Sequence, residues 1–276
     1  MTEMTVAEKA RALRALHHGR VLVLPNAWDA GSAAVIAAAG APAIATTSGG
    51  VSWALGTSDG QHLTRGDMTE AVARIVAAVD VPVSADIEGG YGPDPQDVAA
   101  TVAAVLAVGA VGVNLEDSVA PGGPLFDVEA QAWRIRAGRD AAADAGVPEL
   151  VINARTDVYL FQIGEPDGRF AESLARAEAY AEAGADCFFV PGLLDLDTLA
   201  ALAKSSPIPI SAMAAPGGPS VAELSAAGVR RVSVGTAIAQ AAYATAAAAA
   251  RQLLTDGRFA PEQILSFGEL DALFRR

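Results

Sequence analysis

Short apolar runs recur along the chain, each followed by Gly, Pro, Asp or Ser and then by an Ala-rich stretch with helical spacing. The runs fall at 21–24, 43–46, 83–86, 112–115, 150–153, 187–190, 208–212 and 231–234. The helical stretches fall at 30–39, 67–79, 95–108, 128–145, 169–183, 196–203, 220–227 and 237–254. Strands covered on both faces read as continuous apolar runs rather than alternating ones. The pattern therefore predicts eight parallel strands, each with a helix behind it. Several helices close on Ala-Gly-Ala or a close variant, at Gly40, Gly109, Gly184 and Gly228, where Gly past the last turn supplies a left-handed cap. An opening helix is expected over 5–17. A final one is expected over 261–274, within a polar tail at 255–276.

Eight such units predict an α/β fold, a single-domain (β/α)8 TIM-type barrel spanning residues 1–276. The rival is an open doubly wound sheet, but no Gly-x-Gly-x-x-Gly follows the first strand. In a barrel the chemistry gathers where strands end. There the chain carries Trp28 and Asp29, then Thr47-Ser48-Gly49-Gly50 with a loop reaching Asp59, then Asp86 and Glu88, Glu116-Asp117-Ser118, Arg155-Thr156-Asp157, Pro216-Gly217-Gly218-Pro219, and Gly235-Thr236.

The stretch Ser84-Ala85-Asp86-Ile87-Glu88-Gly89-Gly90-Tyr91-Gly92 is the most telling. If 83–88 is extended, Asp86 and Glu88 face the same side. Two carboxylates so placed repel and resist burial unless a cation lies between them. A hard divalent ion such as Mg2+ suits oxygen ligands of this kind. The plain alternative is that the pair caps the helix starting near residue 95. Asp29 reads as a helix cap, Cys187 as an inert core thiol beside Phe188 and Phe189, and His62 as a solvated loop residue. His17 and His18 are expected at the surface. Arg230 and Arg231 are expected on a solvated face. Neighbouring strand residues point oppositely, so of Glu116 and Asp117 only one faces the site. Glu116 is expected there, with Asp117 paired to a base or a backbone group.

Composition narrows the reading. The chain carries 19 basic and 32 acidic residues, a net charge of −13. That disfavours nucleic acid and anionic membranes. One cysteine excludes an intrachain disulfide and suits a reducing, cytoplasmic setting. The N-terminus, Met1-Thr2-Glu3-Met4, has no apolar signal segment. The stretch 237–254 is apolar but Ala-rich and holds Gln240, Tyr243 and Arg251. It reads as a buried or interface helix rather than a membrane span.

Four motifs, in order, resemble those of the isocitrate lyase/phosphoenolpyruvate mutase superfamily: Ser48-Gly49-Gly50 with Leu55-Gly56-Thr57-Ser58-Asp59, then Asp86 to Gly92, then Gly112 to Asp117, then Asn153-Ala154-Arg155-Thr156-Asp157. The resemblance implies a barrel that binds Mg2+ and a 2-oxo acid or its enolate. Asp86 would ligate the metal, with Asp59, Glu88 and Glu116 holding its waters. The substrate carboxylate would meet Ser48, Gly49, Gly50 and Arg155, and Arg155 and Glu116 would serve catalysis; Trp28, from its place at the end of the first strand, is expected to wall the pocket. The implied activity is a carbon–carbon lyase or decarboxylase acting on a small 2-oxo or 2-hydroxy (di)carboxylic acid through a metal-bound enolate. Phosphonopyruvate-type P–C chemistry and a catalytically silent 2-oxo acid binder are the alternatives. The resemblance also implies a homo-oligomer, dimer or tetramer, with the helix after the eighth strand exchanged between subunits. The chain departs from the family at Glu88, where Asp is usual, and at Gly50, where a bulkier residue is usual. In the loop Ser118 to Phe126 the lyases' Lys-Lys/Arg-Cys-Gly-His and the mutases' Lys are both missing.

Overall fold

A computed structural model describes residues 4–261 and 263–275; Met1 to Glu3, Glu262 and Arg276 lie outside them. The elements run α1 (Val6–Leu16), β1 (Leu22–Leu24), β2 (Asn26–Ala27), α2 (Ala30–Ala38), β3 (Ile44–Thr46), α3 (Ser48–Ala54), α4 (Arg65–Ala78), β4 (Val83–Asp86), α5 (Pro95–Ala107) and β5 (Gly112–Glu116). They continue with α6 (Val128–Asp144), β6 (Val151–Arg155), α7 (Arg169–Glu182), β7 (Cys187–Phe189), α8 (Leu196–Ser205), β8 (Ile210–Met213), α9 (Val221–Ala226), β9 (Arg231–Ser233), α10 (Ala237–Asp256) and α11 (Phe267–Ala272).

The described strands are all parallel, in the order β1-β9-β8-β7-β6-β5-β4-β3-β2. β1 pairs with β9 and β2 with β3, so β1 and β2 are two halves of one barrel strand, and the (β/α)8 barrel closes through it. The break falls at Pro25, which has no N–H to give the ladder. The Asn26 side chain spans this seam. Its Nδ2 donates to the Thr46 carbonyl at 3.0 Å, and its Oδ1 accepts from Val234 N–H at 2.9 Å.

The helices pack apolar stripes on the outer face of the sheet. Ile87, Val98, Leu115, Ile135, Ile152 and Phe188 are essentially unexposed there, each contributing on the order of 2 kcal/mol by leaving water. Caps fall where the polar residues sit. Thr5 and Thr64 form reciprocal capping boxes with Glu8 and Asp67, and Asp29 caps α2, accepting from Ser32 N–H at 2.7 Å. Gly40 and Gly184, with φ of +98° and +101°, end helical stretches as anticipated.

Several expectations are corrected. Ser48–Ala54 is a helix, not a loop. The last helix covers only part of the expected 261–274. α10 runs to Asp256, into what reads as the tail. His17 is buried rather than exposed, its Nδ1 held by the Leu13 carbonyl at 2.9 Å. Arg231 is 3% exposed and points into the barrel, because inward positions on β9 alternate with the core-facing Val232. No helix among the described residues is long and apolar enough to cross a membrane.

Candidate active site

The inner face of the barrel departs from the bulky aliphatic filling usual for this fold. Ser84 and Asp86 on β4, Asn114 on β5, Asn153 on β6 and Arg231 and Ser233 on β9 all point inward and line a cavity of about 240 Å³. The cavity reaches the strand ends, where Ser48, Asp59, Arg155 and Thr236 join its wall.

Asp86 is the best-oriented acid in it. Its Oδ2 accepts from the Ser48 N–H at 3.0 Å, and its Oδ1 accepts from Asn114 Nδ2 at 3.0 Å. Asn114 Oδ1 in turn accepts from Asn153 Nδ2 at 2.8 Å, and Asn153 Oδ1 from Ser211 Oγ at 2.7 Å. This line of dipoles fixes each amide with its donor directed toward the carboxylate. Ser48 N–H is available because it opens α3, where the first turn has no intrahelical acceptor. Gly49 and Gly50 follow in the same turn, both buried. A Cβ on Gly49 would lie 2.8 Å from Thr236 Cγ2, and one on Gly50 only 2.7 Å from Trp28 Cβ. Trp28 therefore fills the space behind Gly50. It is not among the residues lining the cavity.

Asp59 lines the cavity beside Asp86. Burial, and then the Asp86 charge, raise its pKa, against hydrogen bonds from the Ser48 side chain and the Gly60 backbone. Glu88 is reached differently from the sequence expectation. β4 ends at Asp86, and Glu88 sits in a turn with φ +49°, so the extended i, i+2 geometry does not apply. It is 3% exposed. It accepts from Gln61 N–H at 2.5 Å and from Tyr91 Oη at 3.1 Å. Burial, then the charge of Asp86, pushes it up to about 7. Tyr91, too, has a left-handed φ of +61°. Two non-glycine residues in that region store on the order of 1–3 kcal/mol each, and several side chains hold the turn: Gln61 Oε1 accepts from Tyr91 N–H at 3.0 Å, Thr101 Oγ1 donates to the Gly90 carbonyl at 2.8 Å, and Arg134 spans it. Its guanidinium donates to the carbonyls of Gly89, Gly92 and Pro93 and lies 4.1 Å above the Phe126 ring.

Arg155 closes the opposite side. Its Nη1 lies 2.9 Å from Glu116 Oε2, and its Nε donates to Asp157 Oδ1 at 2.6 Å. Burial opposes its charge, but Glu116 and Asp157 hold its pKa above the ordinary value. Burial raises Glu116 in turn, against the pull of Arg155. Asp117 points away, as strand alternation requires. It takes the Asp157 N–H at 3.0 Å and pairs with Arg176 and Tyr180, each at 2.9 Å. Ser118, opening the loop that lacks the family's Lys and Cys, donates to Asp157 Oδ2 at 2.6 Å. Cys187 is fully buried and pushed up to about 12 by that burial, an inert thiol.

The structure thus brings Ser48, Asp59, Asp86 and Arg155 onto one cavity, with Glu88 and Glu116 behind them and Gly49 and Gly50 in the adjoining turn. Asn114, Asn153 and Arg231 escape a reading of the strands as apolar runs. The signal was the alternation of polar residues within them. Among the described residues no group of three or more His, Cys, Asp or Glu is placed to enclose a metal directly. An all-oxygen set of crowded carboxylates does fit a hard divalent cation that keeps most of its waters.

The sequence model for phosphoenolpyruvate phosphomutase matches residues 13–254. An uncharacterized protein of Mycobacterium tuberculosis is 39% identical over 258 residues, 93% of either chain. The 2-methylisocitrate lyase of Escherichia coli is 30% identical over 218 residues, 76% of this chain and 71% of the lyase. The structure of oxaloacetate acetylhydrolase with its product oxalate superposes with a TM-score of 0.87 at 25% identity, covering 97% of this chain and 94% of that one.

Proposed function

The chain belongs to the isocitrate lyase/phosphoenolpyruvate mutase superfamily of lyases and mutases, and on that footing we propose that it is a Mg2+-dependent lyase cleaving a carbon–carbon bond of a small 2-oxo or 2-hydroxy acid. The carrying observation is the convergence of Asp59, Asp86 and Arg155 on one cavity, with Asp86 aimed by Ser48 N–H and Asn114.

Asp86 would hold the ion, with Asp59, Glu88 and Glu116 holding its waters. When bound, Mg2+ supplies Lewis-acid stabilisation of negative charge on substrate oxygens. The chain's own residues bind and orient. Arg155 offers a planar fork that stays charged at any working pH, and Glu116 and Asp157 fix its position. Ser48 and the free N–H groups of Gly49 and Gly50 receive a carboxylate at the start of α3. The loop from Ser118 to Phe126 stands where the family's Lys- or Cys-bearing one does, and it meets the site through Ser118, which donates to Asp157 Oδ2 at 2.6 Å.

Calorimetric titration with pyruvate, with and without Mg2+, tests this. Binding that needs Mg2+ and is lost in Asp86→Ala supports the reading. Binding indifferent to both sinks it. Phosphate release from phosphonopyruvate would instead favour the P–C bond reading, and tight binding without turnover across a panel of 2-oxo acids a silent binder.

We also read the protein as a cytoplasmic homo-oligomer. Only Ala239 of α10 is buried, and beyond it Leu254, Ile264 and Phe267 stand 84%, 72% and 84% exposed. An arm this apolar is suited to packing on a second subunit. A monomer by light scattering would remove that assignment.

A further inference from the structure

Arg231 is the one buried guanidinium of the cavity that the site described above leaves unused. It stands in the same register row as Arg155. Arg155 pairs with Phe189, Phe189 with Ser211, and Ser211 with Arg231. All four point inward, and both arginines line the cavity. The two cations therefore stand on different walls of one small space, three strands apart.

Their surroundings differ. Arg155 is clasped by two carboxylates. Arg176 has Asp117 and Glu172, and Arg134 has backbone carbonyls. Arg231 has no carboxylate in ion-pair range among the described residues. Its Nη2 donates to Ser84 Oγ at 3.3 Å, and its Nη1 is buried without any partner. A buried charged donor left unmade is costly, and barrel interiors ordinarily avoid it with branched aliphatic side chains. Here the small side chains of Ala45, Ser84 and Ser233 line the same cavity as Arg231 instead.

We propose that Arg231 is a specificity-determining residue, receiving a second anionic group (carboxylate or phosphonate) at the end of the substrate remote from its 2-oxo acid. This rests on the 2-oxo acid reading above and narrows it to substrates with two acidic ends. The geometry supplies one cation for each end. The competing role is internal. His17 Nδ1 is engaged by Leu13, and its Nε2 is another buried atom without a partner, so a water shared by His17 and Arg231 would satisfy both and leave no demand on the ligand.

The test is calorimetry on the full chain with Mg2+, using two matched pairs. 2-Oxoglutarate and 2-oxopentanoate differ in a terminal carboxylate; phosphonopyruvate and pyruvate differ in a phosphonate. The wild type is expected to favour the doubly charged member of at least one pair by about 30-fold, the scale of a charged hydrogen bond, and the pair that responds identifies the group. Arg231→Gln is expected to erase that preference while leaving the singly charged member within about two-fold. Arg231→Lys, which keeps the charge if the Gln variant fails to fold, is expected to retain part of the preference. The proposal falls if the wild type shows no preference in either pair, if the preference survives Arg231→Gln, or if Arg231→Gln weakens both members alike, the mark of the water-filled internal role. Pyruvate binding without any preference would remove Arg231's role and leave the 2-oxo acid reading standing. No 2-oxo acid binding at all would overturn both.

Discussion

The guanidinium of Arg155 is shared by two acids from different elements: Glu116, at the end of β5, lies 2.9 Å from Nη1, and Asp157, just past β6, accepts from Nε at 2.6 Å. Both acids are buried, Asp157 completely. The side chain that the family motif assigns to substrate thus also partners two buried acids, whose polar groups would be costly to leave unpaired so far from water. If Arg155 receives substrate as proposed, recognition and stability are coupled at this residue.

Arg155→Gln should therefore lose more than ligand affinity. It strands Glu116 and Asp157 without a cation, which costs on the order of 3–5 kcal/mol. Urea unfolding is expected to show that loss, and Arg155→Lys only part of it, since an ammonium lacks the fork that serves two partners. Wild-type stability in Arg155→Gln would mean that the two acids do not depend on Arg155 as a partner.

The tight fit of Gly50 against Trp28 makes a reciprocal prediction. Gly50→Leu should destabilise by about 1–3 kcal/mol through overpacking, because even a Cβ would lie 2.7 Å from Trp28 Cβ and 2.9 Å from Thr47 Cγ2. Combining it with Trp28→Ala should recover part of that, giving a non-zero coupling energy in the double-mutant cycle. Simple additivity would show that Trp28 does not occupy the volume a bulkier residue needs.

Much of this was legible in the sequence, and the exceptions have physical causes. Val83–Asp86 is a strand over the residues expected, because its apolar lead-in and Gly-rich exit leave little choice of register. The barrel's first strand was legible as a run but not as two halves, since the split depends on which neighbours Pro25 fails to reach. α3 was hidden because Ser48-Gly49-Gly50 has poor intrinsic helix propensity. Burial of Gly49 to Ser52 overrides that. Glu88 was placed near Asp86 for the wrong reason: the turn, not strand alternation, carries it there. Arg231 was missed because a charged pair at a strand start reads as solvated, whereas its inward register puts it in the cavity.

The loop after β5 is tied down at its start by Ser118 Oγ, which donates to Asp157 Oδ2 at 2.6 Å, and at its far end by Phe126, whose N–H donates to the Asp117 carbonyl at 2.8 Å and whose carbonyl accepts from Arg176 Nη1 at 3.0 Å. Ser118→Ala should cost about 1–3 kcal/mol of local order, with Arg155 still pairing Asp157. Limited proteolysis within residues 119–125 is expected to quicken while global unfolding by urea changes less. Unchanged cleavage would show that the loop is held by its other contacts, such as the close approach of Pro121 to Gly60.

His17 provides a pH dependence with a definite sign. Burial, reinforced by the positive charge of Arg231, lowers its pKa to about 4 in the folded state, against 6.5 when exposed. Above pH 6.5 it is neutral in both states. As pH falls below 6.5 the unfolded chain takes up a proton that the folded chain refuses, so stability drops, and the loss levels off below about pH 4. The difference corresponds to roughly 3 kcal/mol. Glu88, raised from 4.5 to about 7, acts in the opposite sense over much of the same window, so the total curve mixes the two. Comparison with His17→Asn, whose amide can still donate to Leu13, isolates the histidine. The wild type should lose stability relative to the variant between pH 6.5 and 4 and run parallel to it above pH 7. Parallel curves throughout would mean that the folded protein accommodates a charged His17, and that water reaches its ring despite its burial.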